Sequence, residues 1–164
     1  MAVEKRDIDA MCAQLGREVR GVVEVAHRCK CGNPDVVKTL PRLENGTPFP
    51  TTYYITCPRL SSRIGTLEAD GVMKQLEQQL NSDPDLQRKY LAAHESYLED
   101  RDALGEVLEI KDISAGGMPN RVKCLHVLVG HSLAKGPGVN PIGDLALEML
   151  QEWGDHSCLS GEVE

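Results

Sequence analysis

The sequence predicts an α+β fold, in which a small three-stranded antiparallel sheet near the N-terminus packs against several helices. Two observations support this prediction. Short runs rich in Val, Ile, Thr and Tyr, separated by Gly, Asn and Pro, occupy residues 21–58, which is typical of strands joined by tight turns. Beyond residue 59 the apolar residues recur at intervals of three and four, which is the period of amphipathic helices.

The N-terminal third is predicted to contain one helix followed by a β-meander. An apolar stripe at helical spacing predicts a helix over residues 7–17. The β-branched and aromatic runs then predict strands over residues 22–28, 36–40 and 51–56. Asn45-Gly46 lies between the second and third strands, and this pair is typical of a tight hairpin turn.

The remainder is predicted to be helical, with one or two short helices between residues 64 and 80 and a break at Gly71. Asp83-Pro84 marks the start of a long helix, because Asp is a good N-cap and Pro suits the first helical position. Two more helices are expected over residues 122–135 and 141–153. We therefore predict a single domain, 1–164, made of an N-terminal helix (1–20), the meander (21–58), a helical part (59–154) and a tail (155–164).

Composition and charge exclude several classes of function. The chain has 164 residues and a net charge of −7, with few aromatic residues, so nucleic-acid binding is not expected. Lys and Arg outnumber Asp and Glu only before residue 64, and this excess could serve a small anionic ligand. The sequence shows no apolar run of about 20 residues, and its start does not resemble a signal peptide. We expect a cytoplasmic protein without a membrane segment.

Three of the six cysteines are predicted to converge on a metal site. Cys29 and Cys57 follow the first and third strands of the meander, which run in the same direction, so both thiols should lie at the same edge of the sheet. Cys124 lies at the start of a predicted helix, where the helix dipole favours a thiolate. His131 or His126 could be the fourth ligand, and Cys31 is a further candidate. Cys12 and Cys158 are interpreted as ordinary core thiols.

Two metal centres, and a third option without metal, remain open at this stage. Three thiolates and one imidazole would form a closed structural zinc site, whereas three thiolates alone could hold a [4Fe–4S] cluster with one open iron. Around an open site, Arg121, Lys123 and Lys135 could bind an anionic substrate for hydrolytic or sulfur-handling chemistry. Without metal, Cys124 and one of the two histidines could act as nucleophile and base.

The chain also resembles a bacterial family catalogued as domain of unknown function 501. The resemblance rests on motifs spread over nearly the whole domain: Arg28-Cys29 with Gly32 and Pro34, Gly46 to Thr51, Thr56-Cys57-Pro58, Leu67-Glu68, Gly116-Gly117, Val122 to His126, His131 with Leu133-Ala134, and Asn140-Pro141 with Gly143. Cys29, Cys57, Cys124, His126 and His131 match the family pattern, and Cys31 is additional to it.

The resemblance implies a bacterial cytosolic protein whose gene often lies beside those of a septum-formation protein and an exopolyphosphatase. It supplies no reaction. Thus a second hypothesis is a non-catalytic interaction protein linked to cell division, in which the acidic helical half contacts a protein partner.

Overall fold

A three-stranded antiparallel meander opens the fold, as the sequence predicted. The computed structural model describes residues 3–159, and its strands pair in the order β1-β2-β3. The strands are β1 (Val22–Arg28), β2 (Pro34–Thr39) and β3 (Tyr53–Ile55). The helices are α1 (Lys5–Leu15), α2 (Pro58–Ala69), α3 (Val72–Ser82), α4 (Pro84–Asp102), α5 (Leu125–Lys135) and α6 (Pro141–Met149), with a short 3-10 helix at Leu108–Ile110. The α+β class is therefore confirmed.

The helix ends follow the local sequence signals, with one correction. Asp83 caps α4 by accepting hydrogen bonds from the backbone N–H groups of Asp85 and Leu86, and Gly71 separates α2 from α3 with a φ of +84°. The last helix was predicted to reach residue 153 but ends at Met149, because Leu150 adopts an extended conformation. Of the predicted tail, residues 160–164 lie outside the part of the chain that is described.

Helix α5 lies at the centre of the molecule, between the sheet and α6. A Cβ at Gly130 would lie 3.0 Å from the Tyr53 carbonyl oxygen, so glycine allows α5 to approach β3 closely. A Cβ at Gly143 would lie 2.2 Å from the Leu128 carbonyl oxygen, so α6 crosses α5 at a point that tolerates only glycine. The first turn of α5 is thereby held against the core. No helix within residues 3–159 has both the length and the apolar character needed to cross a membrane.

The segment that follows α6, residues 150–159, folds back over the turn between β1 and β2. The Trp153 indole donates a hydrogen bond to the buried carboxylate of Asp35 at 3.4 Å, and Arg59 donates to the Trp153 carbonyl oxygen at 3.2 Å. Lys30 forms an ion pair with Glu152 at the surface of this contact. These contacts carry Cys158 into the core, where its exposure is 0%.

Candidate functional site

Four of the six cysteines meet around Cys158. The sulfur atoms of Cys29, Cys31 and Cys158 all lie within 4.8 Å of one another. The Sγ of Cys158 lies 3.2 Å from that of Cys31 and 3.1 Å from that of Cys57. Cys57 therefore joins the group through Cys158. We call these four residues the thiol cluster. Cys29, Cys31 and Cys158 within it form a group that could hold a metal ion.

Local backbone geometry explains why each thiol of the cluster points inward. Cys29 directly follows β1, and the turn after it is closed by hydrogen bonds between the backbone groups of Cys29 and those of Gly32 and Asn33. This turn brings Cys31 back beside Cys29. Cys57 is the N-cap of α2, and its sulfur accepts a hydrogen bond from the Leu60 N–H at 3.4 Å. Three separate parts of the chain thus supply the cluster.

The thiols of the cluster differ in the direction in which their pKa values are shifted. Hydrogen bonding to Cys57, burial and the thiols of Cys31 and Cys29 raise the pKa of Cys158. Hydrogen bonding from Cys158 lowers the pKa of Cys57 against the effect of burial. Burial disfavours the Cys31 thiolate, but the Asn33 and Cys158 backbone N–H groups and the neighbouring thiols outweigh it and lower the pKa of Cys31 to about 7. Burial raises the pKa of Cys29. Ionisation is therefore favoured at Cys31 and Cys57 and disfavoured at Cys29 and Cys158.

Cys124 lies in a different group from Cys29 and Cys57, contrary to the predicted three-thiol convergence. It is the N-cap of α5, a helix that packs against both α2 and β3. One ligand atom each from Cys124, His126 and Glu68 lie within 4.8 Å of one another. Glu68 stands near the C-terminal end of α2, whereas Cys57 stands before its first residue. The length of α2 therefore separates the two groups.

The Cys124 group is well connected by hydrogen bonds. The Nδ1 atom of His126 lies 3.1 Å from Oε1 of Glu68, and its Nε2 donates to the Ser61 carbonyl oxygen at 3.1 Å. The other carboxylate oxygen of Glu68 accepts from the Leu125 N–H at 3.0 Å. Interaction with Cys124 raises the pKa of His126 against its burial. Burial disfavours the Cys124 thiolate, but His126 and the Val127 N–H outweigh it and lower the pKa of Cys124.

His131 belongs to neither group. Its ring stacks on Tyr53 with centroids 5.7 Å apart and meets the edge of Tyr97 at 5.0 Å. Its Nδ1 accepts a hydrogen bond from the Asn140 amide at 3.1 Å, while its buried Nε2 has no partner within residues 3–159. Burial lowers the pKa of His131 to about 4. The structure therefore gives this side chain a place in the core, away from the cysteines.

The basic residues suggested for substrate binding are mostly engaged elsewhere. Arg121 donates to Glu77 at 2.8 Å, and Lys135 forms an ion pair with Asp100 at 3.0 Å. Lys123 is exposed and adjacent to Cys124 in the sequence. Their role in substrate binding stays a prediction. A cavity of about 500 Å³ lies against the sheet near Arg17, Arg20 and Tyr54, and no cysteine lines it.

Sequence reasoning missed Cys158, Cys31 as a full member of the cluster, and Glu68. Cys158 gives no local signal, since it lies more than a hundred residues from its nearest partner thiol, Cys57. Glu68 had a weak signal, because it falls in one of the motifs that carry the family resemblance.

Residues 25–148 match the model of a family described as Protein of unknown function (DUF501), which covers most of the chain. The chain therefore belongs to this family. No curated protein and no solved structure matches it significantly. The matched range includes Glu68, Cys124 and His126 and three members of the thiol cluster, and it ends before Cys158.

Proposed function

We propose that this DUF501 protein is a zinc protein in which the thiol cluster forms a closed structural centre with Cys29, Cys31, Cys57 and Cys158 as ligands. The observation that carries the proposal is the meeting of four sulfur atoms from three separate parts of the chain around Cys158. Four buried or half-buried thiols at such distances would repel one another as thiolates. A divalent cation in place of the shared proton of Cys158 would let all four ionise.

The spacing of the thiols favours a single metal ion over an iron–sulfur cluster. Zinc–sulfur bonds of about 2.3 Å place the ligands of a tetrahedral site about 3.8 Å apart. The contacts of 3.1 and 3.2 Å that Cys158 makes are shorter than that value, and the sulfurs of Cys29, Cys31 and Cys158 all lie within 4.8 Å of one another. A [4Fe–4S] cluster is larger, so it holds its cysteines farther apart. Zinc is therefore the metal we propose, and iron is an outcome of the test.

Such a centre would hold residues 150–159 on the body of the fold. It joins the turn after β1, the start of α2 and Cys158 through one ion, in addition to the hydrogen bonds of Trp153 and Arg59. Structural zinc sites contribute directly to folding free energy. Because Cys57 and Cys158 are fully buried, this centre offers no open position to a substrate. At this site we favour the non-catalytic alternative, so hydrolytic or sulfur-handling chemistry would need another site.

The test is the zinc content of Cys158→Ala compared with wild type, both purified with a reductant. We expect Cys158→Ala to hold one equivalent of zinc fewer, measured by elemental analysis. Cys12→Ala is the matched control, because Cys12 lies in α1 outside both groups, and it should keep the wild-type content. An undiminished zinc content in Cys158→Ala would refute the assignment. A brown protein containing iron and sulfide would show that the thiols hold an iron–sulfur cluster and not zinc.

A second measurement covers the case in which Cys158→Ala fails to fold. Thiol alkylation of the wild-type protein should protect the four cluster cysteines before chelation and expose them after it, read by mass spectrometry of the modified positions. Equal labelling of the cluster and of Cys12 before chelation would contradict a closed metal centre.

A further inference from the structure

The far end of α2 carries a second group of metal-ligating side chains. This group consists of Glu68 in the last turn of α2, Cys124 at the N-cap of α5 and His126 in the first turn of α5. Each residue offers one ligand atom, and the three atoms lie within 4.8 Å of one another. All three are half-buried. The side chains of His126 and Glu68 keep 31% and 23% of their surface exposed, so the point where they meet is reached by solvent.

The hydrogen bonds of His126 require a proton or a metal ion between its Nδ1 and Glu68. Its Nε2 faces the Ser61 carbonyl oxygen at 3.1 Å, and because a carbonyl oxygen only accepts, Nε2 must carry a hydrogen. In the neutral ring this leaves a lone pair on Nδ1, which faces Oε1 of Glu68 at 3.1 Å. Two acceptors at this distance repel each other unless a proton or a metal ion lies between them.

We infer that this cation is a zinc ion bound by Glu68, Cys124 and His126, at a site distinct from the thiol cluster. A mixed set of one sulfur, one nitrogen and one oxygen ligand suits zinc, which accepts all three. Zinc ligands of these types lie about 3.4 Å apart at an N–Zn–O edge, close to the 3.1 Å between Nδ1 and Oε1. A proton on Nδ1 would also satisfy the contact with Glu68, and we prefer zinc because it would bind the nearby Cys124 sulfur as well.

The groups around the three ligands support this assignment. A metal-binding histidine usually donates its second N–H to a carbonyl or carboxylate, which orients the ring, and Ser61 accepts from His126 in this way. The Leu125 N–H holds the other carboxylate oxygen of Glu68 at 3.0 Å. Both side chains are thus oriented by partners other than the metal. Three protein ligands at a partly exposed point leave a fourth position for water, as in catalytic zinc sites.

The two proposed sites are far enough apart to be tested separately. Glu68 lies eleven residues beyond Cys57 along α2, which corresponds to about 16 Å along the helix. Removing Cys158 should therefore empty the thiol cluster alone, and removing Glu68 should empty the second site alone.

The experiment compares Glu68→Gln with Glu77→Gln by zinc content. Glu77 is a matched control, because it also accepts from a backbone N–H of the same connection, that of Val122 at 2.9 Å, and also pairs with a basic side chain, Arg121. The wild-type protein should retain two zinc ions after gel filtration. Glu68→Gln should retain one and Glu77→Gln two. Cys124→Ala should also retain one, which gives an independent reading if Glu68→Gln prevents folding.

Each result has a defined meaning. One zinc ion in the wild type, lost in Cys158→Ala and kept in Cys124→Ala, would show that a proton occupies the second point and would overturn the inference. Two ions in the wild type and equal loss in Glu68→Gln and Glu77→Gln would overturn it as well. The loss would then come from disturbing the segment that leads into α5 and not from removing a metal ligand. Loss confined to Glu68→Gln and Cys124→Ala, with the cluster ion kept, would establish the site.

The open position has its own readout. In Cys158→Ala loaded with Co²⁺, adding azide should shift the visible absorption bands, since azide can replace water at an open position. In Glu68→Gln loaded in the same way, Co²⁺ occupies only the closed thiol cluster, so azide should not shift the bands. An unchanged Cys158→Ala spectrum would contradict the open position.

Discussion

The buried ring of His131 should make the fold sensitive to acid in a defined pH window. Its pKa is lowered from 6.5 to about 4 by burial, so below pH 6.5 the unfolded chain binds a proton that the folded chain refuses. Stability from this residue is fully present above pH 6.5 and is lost as the pH falls toward 4. A difference of about 2.5 pKa units at about 1.4 kcal/mol each corresponds to about 3 kcal/mol.

The assay is urea unfolding at pH 7 and pH 4 for wild type and His131→Phe. Phenylalanine keeps an aromatic ring against Tyr53 and Tyr97 but does not titrate, and it removes the buried Nε2 that has no partner in the described chain. It also leaves the Asn140 amide without its acceptor, which should cost about 1–3 kcal/mol at every pH. The loss between pH 7 and pH 4 should therefore be about 3 kcal/mol smaller in the variant.

Acid also protonates the thiolates of any metal site, but that effect is common to both proteins and cancels in the difference. Equal acid losses in wild type and His131→Phe, to within about 1 kcal/mol, would refute the reasoning. In that case the His131 ring would already be protonated or hydrated in the folded protein.

Two further predictions concern packing around the thiol cluster and the segment between α4 and α5. Gly154→Val should speed zinc release to a chelator about tenfold, because a Cβ there would lie 3.2 Å from the Cys29 sulfur; Gly65→Ala, in open space, should release zinc at the wild-type rate. Arg101→Leu should lower the free energy of unfolding by about 3 kcal/mol or more, since the buried guanidinium donates to four backbone carbonyl groups. Arg88→Ala, at the exposed start of α4, should change it by less than about 0.5 kcal/mol. Equal effects within either pair, in chelator competition or urea unfolding, would contradict these expectations.

The sheet could be predicted from the sequence because its signals are local. The β-branched runs and the Asn45-Gly46 turn identify strands and connections without reference to the rest of the chain, and Gly46 has the expected positive φ of +87°. The end of the last helix could not be predicted in this way. The apolar period continues to Trp153, but the Trp153 indole donates a hydrogen bond to Asp35, which precedes it by more than a hundred residues.

The candidate sites show the same division between local and distant information. Placing Cys29 and Cys57 at one sheet edge required only strand direction, and both thiols belong to one cluster. Cys124 belongs to a different group, and this depends on the packing of α5, which no local pattern reveals. Its grouping with His126 was one of the alternatives considered, but at residue spacing two the ideal helix separates these side chains. They meet because Cys124 is an extended N-cap, with φ −152° and ψ 108°, rather than a helical residue.

The extent of the family match bears differently on the two proposed sites. Glu68, Cys124 and His126 all lie within the matched residues 25–148, whereas Cys158 lies beyond them. A structural centre can depend on a segment outside the matched range, because its effect is to hold that segment in place. The open site does not depend on that segment, because α2 and the start of α5, both inside the matched range, supply all three of its ligands. If the family has a common chemistry, the end of α2 that carries Glu68 is therefore the place where we expect it.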